Sequence, residues 1–155
     1  MSTHALPSLP PLPDSAVVLG AAAADWRSAL GVAGSALVAS GAATSAYGRA
    51  MVDMVEEHGP YIVISPGLAL AHARPGDDVH RDGLVVVTLA EPVSFGHPYN
   101  DPVTVVLGLA VAAIGAHLDM IAALANVFND ASVTPRLAAA STVDEVRAIM
   151  GVEAA

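Results

Sequence analysis

Two chemically versatile side chains are missing from this sequence. It contains no cysteine, so disulfides, thiolate metal sites and cysteine nucleophiles are excluded. It also contains no lysine, and its six arginines stand against 15 acidic residues, which gives a net charge of −9. Because so acidic a chain repels polyphosphate backbones, we expect it not to bind nucleic acid. Nothing in this composition indicates secretion, and we expect a cytoplasmic location.

Aromatic residues and long apolar runs are also scarce. Aromatics make up 4% of a chain that is 54% hydrophobic, so the core should consist mainly of aliphatic side chains. The uncharged run at residues 102–116 is shorter than the roughly 20 residues of a membrane-spanning helix, and we expect no membrane insertion. Residues 1–13 contain four prolines. We predict a disordered Pro-rich arm there, followed by a single domain over residues 14–155.

The spacing of apolar residues predicts helices before and after a cluster of strands. Asp25 can cap a first helix that ends at Gly41, and a second helix begins near Thr44 or Ser45. A short strand is predicted at residues 16–19, and buried strands at residues 61–64, 83–89 and 102–109. Further helices are predicted at residues 117–128, 132–139 and 142–150. We therefore expect an α/β domain with a mixed β-sheet of about five strands and helices packed on both faces.

His72 lies in a segment of small residues, 65–75, that directly follows a predicted strand. Small neighbours should leave its ring accessible in a turn. A neutral imidazole can accept a phosphoryl group on one nitrogen while the other keeps its proton. Arg74 could supply positive charge to the phosphoryl oxygens. A solvated surface turn, in which neither side chain reacts, fits the same residues.

Two other histidines could contribute to a site. His117 stands at the predicted start of a helix, where free N–H groups attract anions, and it could donate to a phosphoryl oxygen or orient the first imidazole. A hydrogen bond from His117 to the backbone explains the residue equally well. His97 lies in a polar connector, where solvent exposure explains it, although it could also line a site.

The segments around both histidines resemble a known family, the mannitol/fructose-type (type 2) enzyme IIA of the bacterial phosphoenolpyruvate-dependent sugar phosphotransferase system. Residues 66–75 (PGLALAHARP) match its histidine segment, and residues 107–118 match the stretch that leads to its second histidine. Residues 59–64 (GPYIVI) and 92–103 are most similar to the ascorbate-type branch. One departure is Ala71, where the family usually has a proline.

This resemblance implies a phosphoryl relay. His72 would accept phosphate from the phosphohistidine of the carrier HPr and pass it to a cysteine of an enzyme IIB, which serves an enzyme IIC permease in sugar uptake, with ascorbate as the closest branch. His117 would be a helper, Arg74 would stabilise phosphate charge, and Arg49 lies in a helix region that can approach the site. Neither a cofactor nor a metal is required. A homodimer remains open.

Two other functions also fit this sequence. One is a nitrogen-type regulatory phosphoprotein of the same fold. The other is a metal-dependent hydrolase that uses His72, His117 and either Asp101 or Asp119, although no HxH or HExxH spacing is present.

For the relay, we expect both partners to dock on one apolar rim around His72. The predicted rim residues are Leu68, Ala69, Leu70, Ala71, Phe95 and Tyr99. Phe95 and Tyr99 could instead fill the core.

Overall fold

A computed structural model describes residues 9–154 of the chain. Its strands are β1 (Val17–Ala21), β2 (Val63–Ser65), β3 (Leu68–His72), β4 (Gly83–Val93) and β5 (Val103–Ala110). They form one sheet in the order β1-β4-β5-β3-β2. The β1/β4 and β3/β5 pairs are parallel, whereas the β4/β5 and β2/β3 pairs are antiparallel, so the sheet is mixed.

Five helices accompany the sheet. They are α1 (Trp26–Ala39), α2 (Ser45–His58), α3 (Ile114–Phe128), α4 (Val133–Ala138) and α5 (Val143–Met150). Local chemistry fixes several of their ends: Asp25 Oδ1 accepts from Ser28 N at 2.8 Å, and Gly151 ends α5 with a φ of 71° that favours glycine. Within residues 9–154, no helix has both the length and the apolar character needed to cross a membrane.

Strands β4 and β5, in the interior of the sheet, are covered on both faces. Every residue from 83 to 89 in β4 is buried, and so are most residues of β5, although alternate side chains of a strand point to opposite faces. Helix α1 packs on β4 and β5, and its approach is close: a Cβ on Gly108 of β5 would lie 3.4 Å from Ala33 Cβ and 3.5 Å from Leu37 Cδ1 of the helix. The predicted α/β domain with a five-stranded mixed sheet is confirmed.

The start of the folded region differs from the boundary predicted at residue 13. Leu12 is fully buried, its N–H donates to the carbonyl of Glu153 at 2.8 Å, and its carbonyl accepts from Arg147 Nε at 2.7 Å. An apolar side chain with satisfied backbone groups belongs to the core, so residues 9–13 are not part of a disordered arm. The rest of the predicted arm, residues 1–8, lies outside the described residues.

Candidate active site

His72 is the last residue of β3 and is half-buried. The sequence predicts an accessible turn here, and that prediction is wrong for residues 68–71, which are buried strand residues between β2 and β5. The physical reason is that alanine and leucine fit an interior strand covered on both faces, so small size indicates close packing here and not exposure. His72 stands where the strand leaves the core.

One hydrogen bond defines the chemistry of the His72 ring. Its Nδ1 lies 2.9 Å from the carbonyl oxygen of Leu70. A carbonyl only accepts, so Nδ1 carries the proton of the neutral imidazole. Nε2 is then the nitrogen with a free electron pair, and the ring is prepared to act as a nucleophile through that atom.

His117 contacts His72 from the first turn of α3. The centroids of the two rings are 5.7 Å apart, and the ring planes are inclined by 48°. The helix begins at Ile114, three residues earlier than predicted, and no side chain caps it. Burial, and then the charge that His72 would carry, lower the pKa of His117. The side chain of His117 is therefore neutral near pH 7, with Nδ1 buried and without a partner among the described residues.

Tyr47 links this site to α2, which the sequence did not indicate. Its buried hydroxyl donates to the carbonyl of Leu109 at 2.5 Å and accepts from the N–H of Ala73 at 3.0 Å. Ala73 follows His72 in the chain, and Leu109 lies opposite His72 in the β3/β5 pair. Burial raises the pKa of Tyr47, so the hydroxyl stays protonated and can hold the end of β3. Only its hydrophobic spacing was visible in the sequence.

Comparison with known proteins identifies the family of this chain. A sequence model of the family described as "Phosphoenolpyruvate-dependent sugar phosphotransferase system, EIIA 2" matches residues 11–151. The chain belongs to this EIIA family. It is therefore a component of a sugar phosphotransferase system and a phosphotransferase component with a phosphohistidine intermediate.

Individual relatives of this EIIA chain agree with the family. The ascorbate-specific PTS system EIIA component of Shigella flexneri is 37% identical over 134 residues, which cover 86% of this chain and 87% of the relative. A putative PTS IIA domain from Streptococcus pyogenes is 32% identical, with a TM-score of 0.80 and coverage of 88% and 89%. The mannitol enzyme IIA of Escherichia coli, solved in complex with phosphorylated enzyme IIB, is 29% identical, with a TM-score of 0.79 and coverage of 90% and 96%.

The two arginines named from the sequence differ in their surroundings in this EIIA chain. Arg74 is exposed two residues beyond His72 and forms no ion pair with another described residue. Arg49 lines a groove between α1 and α2 together with Gly34 and Val52, and no described hydrogen bond connects it with the histidine pair. Arg74 therefore lies beside the end of β3, and Arg49 lies in the groove between α1 and α2.

Asp101 and His97 organise a turn of the EIIA chain. Asp101 Oδ2 accepts from Ser94 Oγ and from the N–H groups of Phe95, Gly96 and His97, at 2.7–3.1 Å. Burial alone would raise the pKa of Asp101, but these hydrogen bonds outweigh it and lower the pKa. His97 Nδ1 accepts from two backbone N–H groups of the same turn. The hydrolase hypothesis needed Asp101 or Asp119 as a metal ligand, and Asp101 Oδ2 is already used in this turn.

The predicted docking rim is wrong for five of its six residues. Leu68, Ala69, Leu70, Ala71 and Phe95 are buried, because the first four belong to β3 and Phe95 packs against Trp26. Tyr99 is 87% exposed, but it lies in the Asp101 turn. Ile114 and Leu118, 71% and 64% exposed, flank His117 on α3, and Tyr61 beside His72 is 42% exposed. The position of Ile114 and Leu118 on either side of His117 was visible in the sequence.

Proposed function

We propose that His72 carries the phosphoryl group on Nε2, receiving it from phospho-HPr and passing it to a cysteine of an enzyme IIB. The observation that carries this proposal is the 2.9 Å contact between His72 Nδ1 and the Leu70 carbonyl. In the neutral ring, a proton held on Nδ1 leaves the Nε2 electron pair free. Because the ring lies at the end of a strand, attack requires little reorganisation.

The proposed transfer is an exchange of one P–N bond for another. The Nε2 electron pair of His72 forms a bond to phosphorus while the bond between phosphorus and the donor imidazole breaks, and the donor nitrogen keeps that electron pair. In the forward step a cysteine thiolate of enzyme IIB attacks the same phosphorus, and Nε2 recovers its electron pair. No metal or nucleotide takes part, so positioning and charge stabilisation supply the catalysis.

His117 is proposed as the helper. Its pKa is lowered, so the ring is neutral and has one N–H to donate. Its Nδ1 is buried without a partner among the described residues, and a buried polar atom without a hydrogen bond costs free energy. A phosphoryl group on His72 would bring acceptor oxygens next to this ring. The uncapped first turn of α3 adds N–H groups that favour an anion there.

Arg74 is proposed to supply positive charge during transfer. It is exposed and has no ion pair with another described residue, so its guanidinium is available to a phosphoryl group or to the phosphorylated partner. In a chain with a net charge of −9, this local cation offsets the repulsion of an incoming anion. Arg49 is not assigned a role, because it lines the groove between α1 and α2.

Both partners are proposed to dock on Ile114 and Leu118, which we call the α3 rim. The two residues are four positions apart and therefore lie on one side of the helix, next to His117. A carrier must release each partner quickly, so the contact should be small and centred on these exposed apolar side chains. The complex of the mannitol relative with phosphorylated enzyme IIB supports enzyme IIB as one partner. The ascorbate-specific relatives support an ascorbate-type permease as the final destination.

The deciding experiment compares three single variants incubated with phospho-HPr. His72→Ala should take up no phosphate. His117→Ala should take it up about 100 to 1000 times more slowly, the usual cost of losing one positioned donor. His80→Ala, an exposed histidine in the next connector, is the matched control and should behave like the unmodified chain. Intact mass, acid lability of the adduct and melting temperature are measured for each variant. A stable adduct on folded His72→Ala would refute the assignment.

The α3 rim is tested with a pair of charged substitutions. Leu118→Glu should raise the KM for phospho-HPr and for enzyme IIB about 10-fold, because a carboxylate would be buried without a partner at each interface. Val38→Glu places the same charge on α1 at a residue that is 43% exposed, and should leave both KM values unchanged. Equal changes of KM in Leu118→Glu and Val38→Glu would show that the partners do not dock on the α3 rim.

A further inference from the structure

Tyr61 is in ring contact with the proposed phosphoryl carrier. The residue precedes β2 and is 42% exposed. Its ring centroid lies 5.9 Å from that of His72, with the planes at 89°, which is the edge-to-face geometry of a favourable aromatic pair. His117 contacts the same imidazole at 5.7 Å. The His72 ring is thus contacted by two other rings.

The backbone hydrogen bond alone does not fix this imidazole. The contact with the Leu70 carbonyl restrains one nitrogen, but the ring can still rock about that bond. The chain neighbours of His72 are Ala71 and Ala73, whose methyl groups are buried and too small to hold a ring. Tyr61 and His117 are the aromatic side chains in ring contact with His72, and either contact can help to set the plane of its ring. Tyr61 lies next to the edge strand β2.

We propose that Tyr61 is a positioning residue for phosphoryl transfer, which sets the plane of the His72 ring so that Nε2 faces the incoming phosphorus. This inference rests on the proposed role of His72 as carrier. The aromatic ring of Tyr61 performs the positioning, and its hydroxyl group is not needed. In-line attack on phosphorus requires an aligned electron pair, so freedom of the ring reduces the rate of the bound complex without weakening the binding of HPr.

The test compares two substitutions at one position. Tyr61→Ala should lower the rate at saturating phospho-HPr by about 3- to 10-fold, the range that one aromatic pair can contribute to orientation, with an unchanged KM. Tyr61→Phe keeps the ring and should restore the rate to within about twofold of the unmodified chain. Val38→Ala shortens an exposed apolar side chain on α1 and should have no effect. Melting temperatures establish that each variant is folded.

A second readout does not depend on any partner. In the free protein, ¹⁵N NMR of the His72 ring reports which nitrogen carries the proton. The unmodified chain and Tyr61→Phe should show the Nδ1–H form, and Tyr61→Ala should show a larger fraction of the other tautomer. A folded Tyr61→Ala with unchanged rate and tautomer would overturn the inference. A change in KM alone would also overturn it, because it would indicate that Tyr61 acts in docking. Equal losses of rate in Tyr61→Ala and Tyr61→Phe would overturn it as well, because they would indicate a contact made by the hydroxyl group.

Failure of the proposed function would be recognised separately. If His72 is not the carrier, the unmodified chain and His72→Ala will accept phosphate equally. If His72 is the carrier and only the role of Tyr61 is wrong, His72→Ala will lose the adduct while Tyr61→Ala keeps the full rate.

Discussion

At the scale of single residues, burial and the neighbouring imidazole both lower the pKa of His117. Replacing His72 by alanine removes the second cause and leaves the first. We expect the pKa of His117 in His72→Ala to rise towards its ordinary value of about 6.5 and to remain below it. Titration of the imidazole C–H signals by NMR measures this value. A pKa of His117 that is unchanged or lower in His72→Ala would show that the rings do not interact electrostatically.

The lowered pKa of His117 also affects the free energy of unfolding. A histidine whose pKa is lower in the folded state holds fewer protons there than in the unfolded chain at pH values between the two pKa values. The free energy of unfolding must therefore fall as the pH drops below about 6.5 and towards the lower pKa of the folded state. His117→Gln should make this decrease shallower, which urea unfolding at pH 7 and pH 5.5 would detect. An identical decrease in the variant would assign the acid sensitivity to other groups.

Residues differ in how far their roles can be read from the sequence. The segments around His72 and His117 are local patterns, and both residues can be recognised as candidates from the sequence alone. Tyr47 was recognised only as an apolar helix position, because the partners of its hydroxyl lie 26 and 62 residues away in the chain. A contact at that separation exists only after the sheet has assembled.

At the scale of elements, two glycines of α1 should respond oppositely to the same substitution. A Cβ on Gly31 meets no atom within 4 Å, so Gly31→Ala should stabilise the protein by about 0.5–1 kcal/mol through helix propensity. A Cβ on Gly34 would lie 3.0 Å from the Cα of Gly48 in α2. Because backbone cannot move aside locally, the two helices must separate, and Gly34→Ala should destabilise by about 1 kcal/mol or more.

Urea unfolding of both α1 variants tests this prediction, and the sign of the difference is the decisive result. If both alanines stabilise the chain equally, α1 and α2 do not cross at Gly34 and Gly48. If both destabilise it equally, the packing of α1 is not limited by this close approach.

Strand β3 shows why one element was missed. Residues 68–72 are rich in alanine, a poor strand former, and follow a Ser-Pro-Gly sequence that favours a turn. Their register opposite residues 105–109 of β5 makes them a strand, since the sheet supplies backbone partners that no local pattern reveals. The error about the docking rim followed directly, because residues assigned to an exposed turn are core residues.

At the scale of the whole molecule, the segment before β1 closes the fold against its C-terminal end. Leu12 is fully buried, so Leu12→Ala should reduce the free energy of unfolding by about 2–5 kcal/mol. Leu118→Ala makes the same change at a residue that is 64% exposed, and should alter stability by less than about 0.5 kcal/mol. Urea unfolding of both variants is the measurement. A small loss for Leu12→Ala would return residues 9–13 to the disordered arm.

The sequence by itself determined the α/β class and most helix ends, and it predicted the two histidines of the site, because each pattern depends on neighbours within a few residues in the chain. Helix caps, turn residues and apolar periodicity act locally, so they can be recognised in the sequence. Only the tertiary structure decided that β3 is a buried strand, that Tyr47 bridges α2 and the sheet, and that Leu12 belongs to the core. Each of these depends on atoms that are distant in sequence, and their contacts form only when the sheet brings them together.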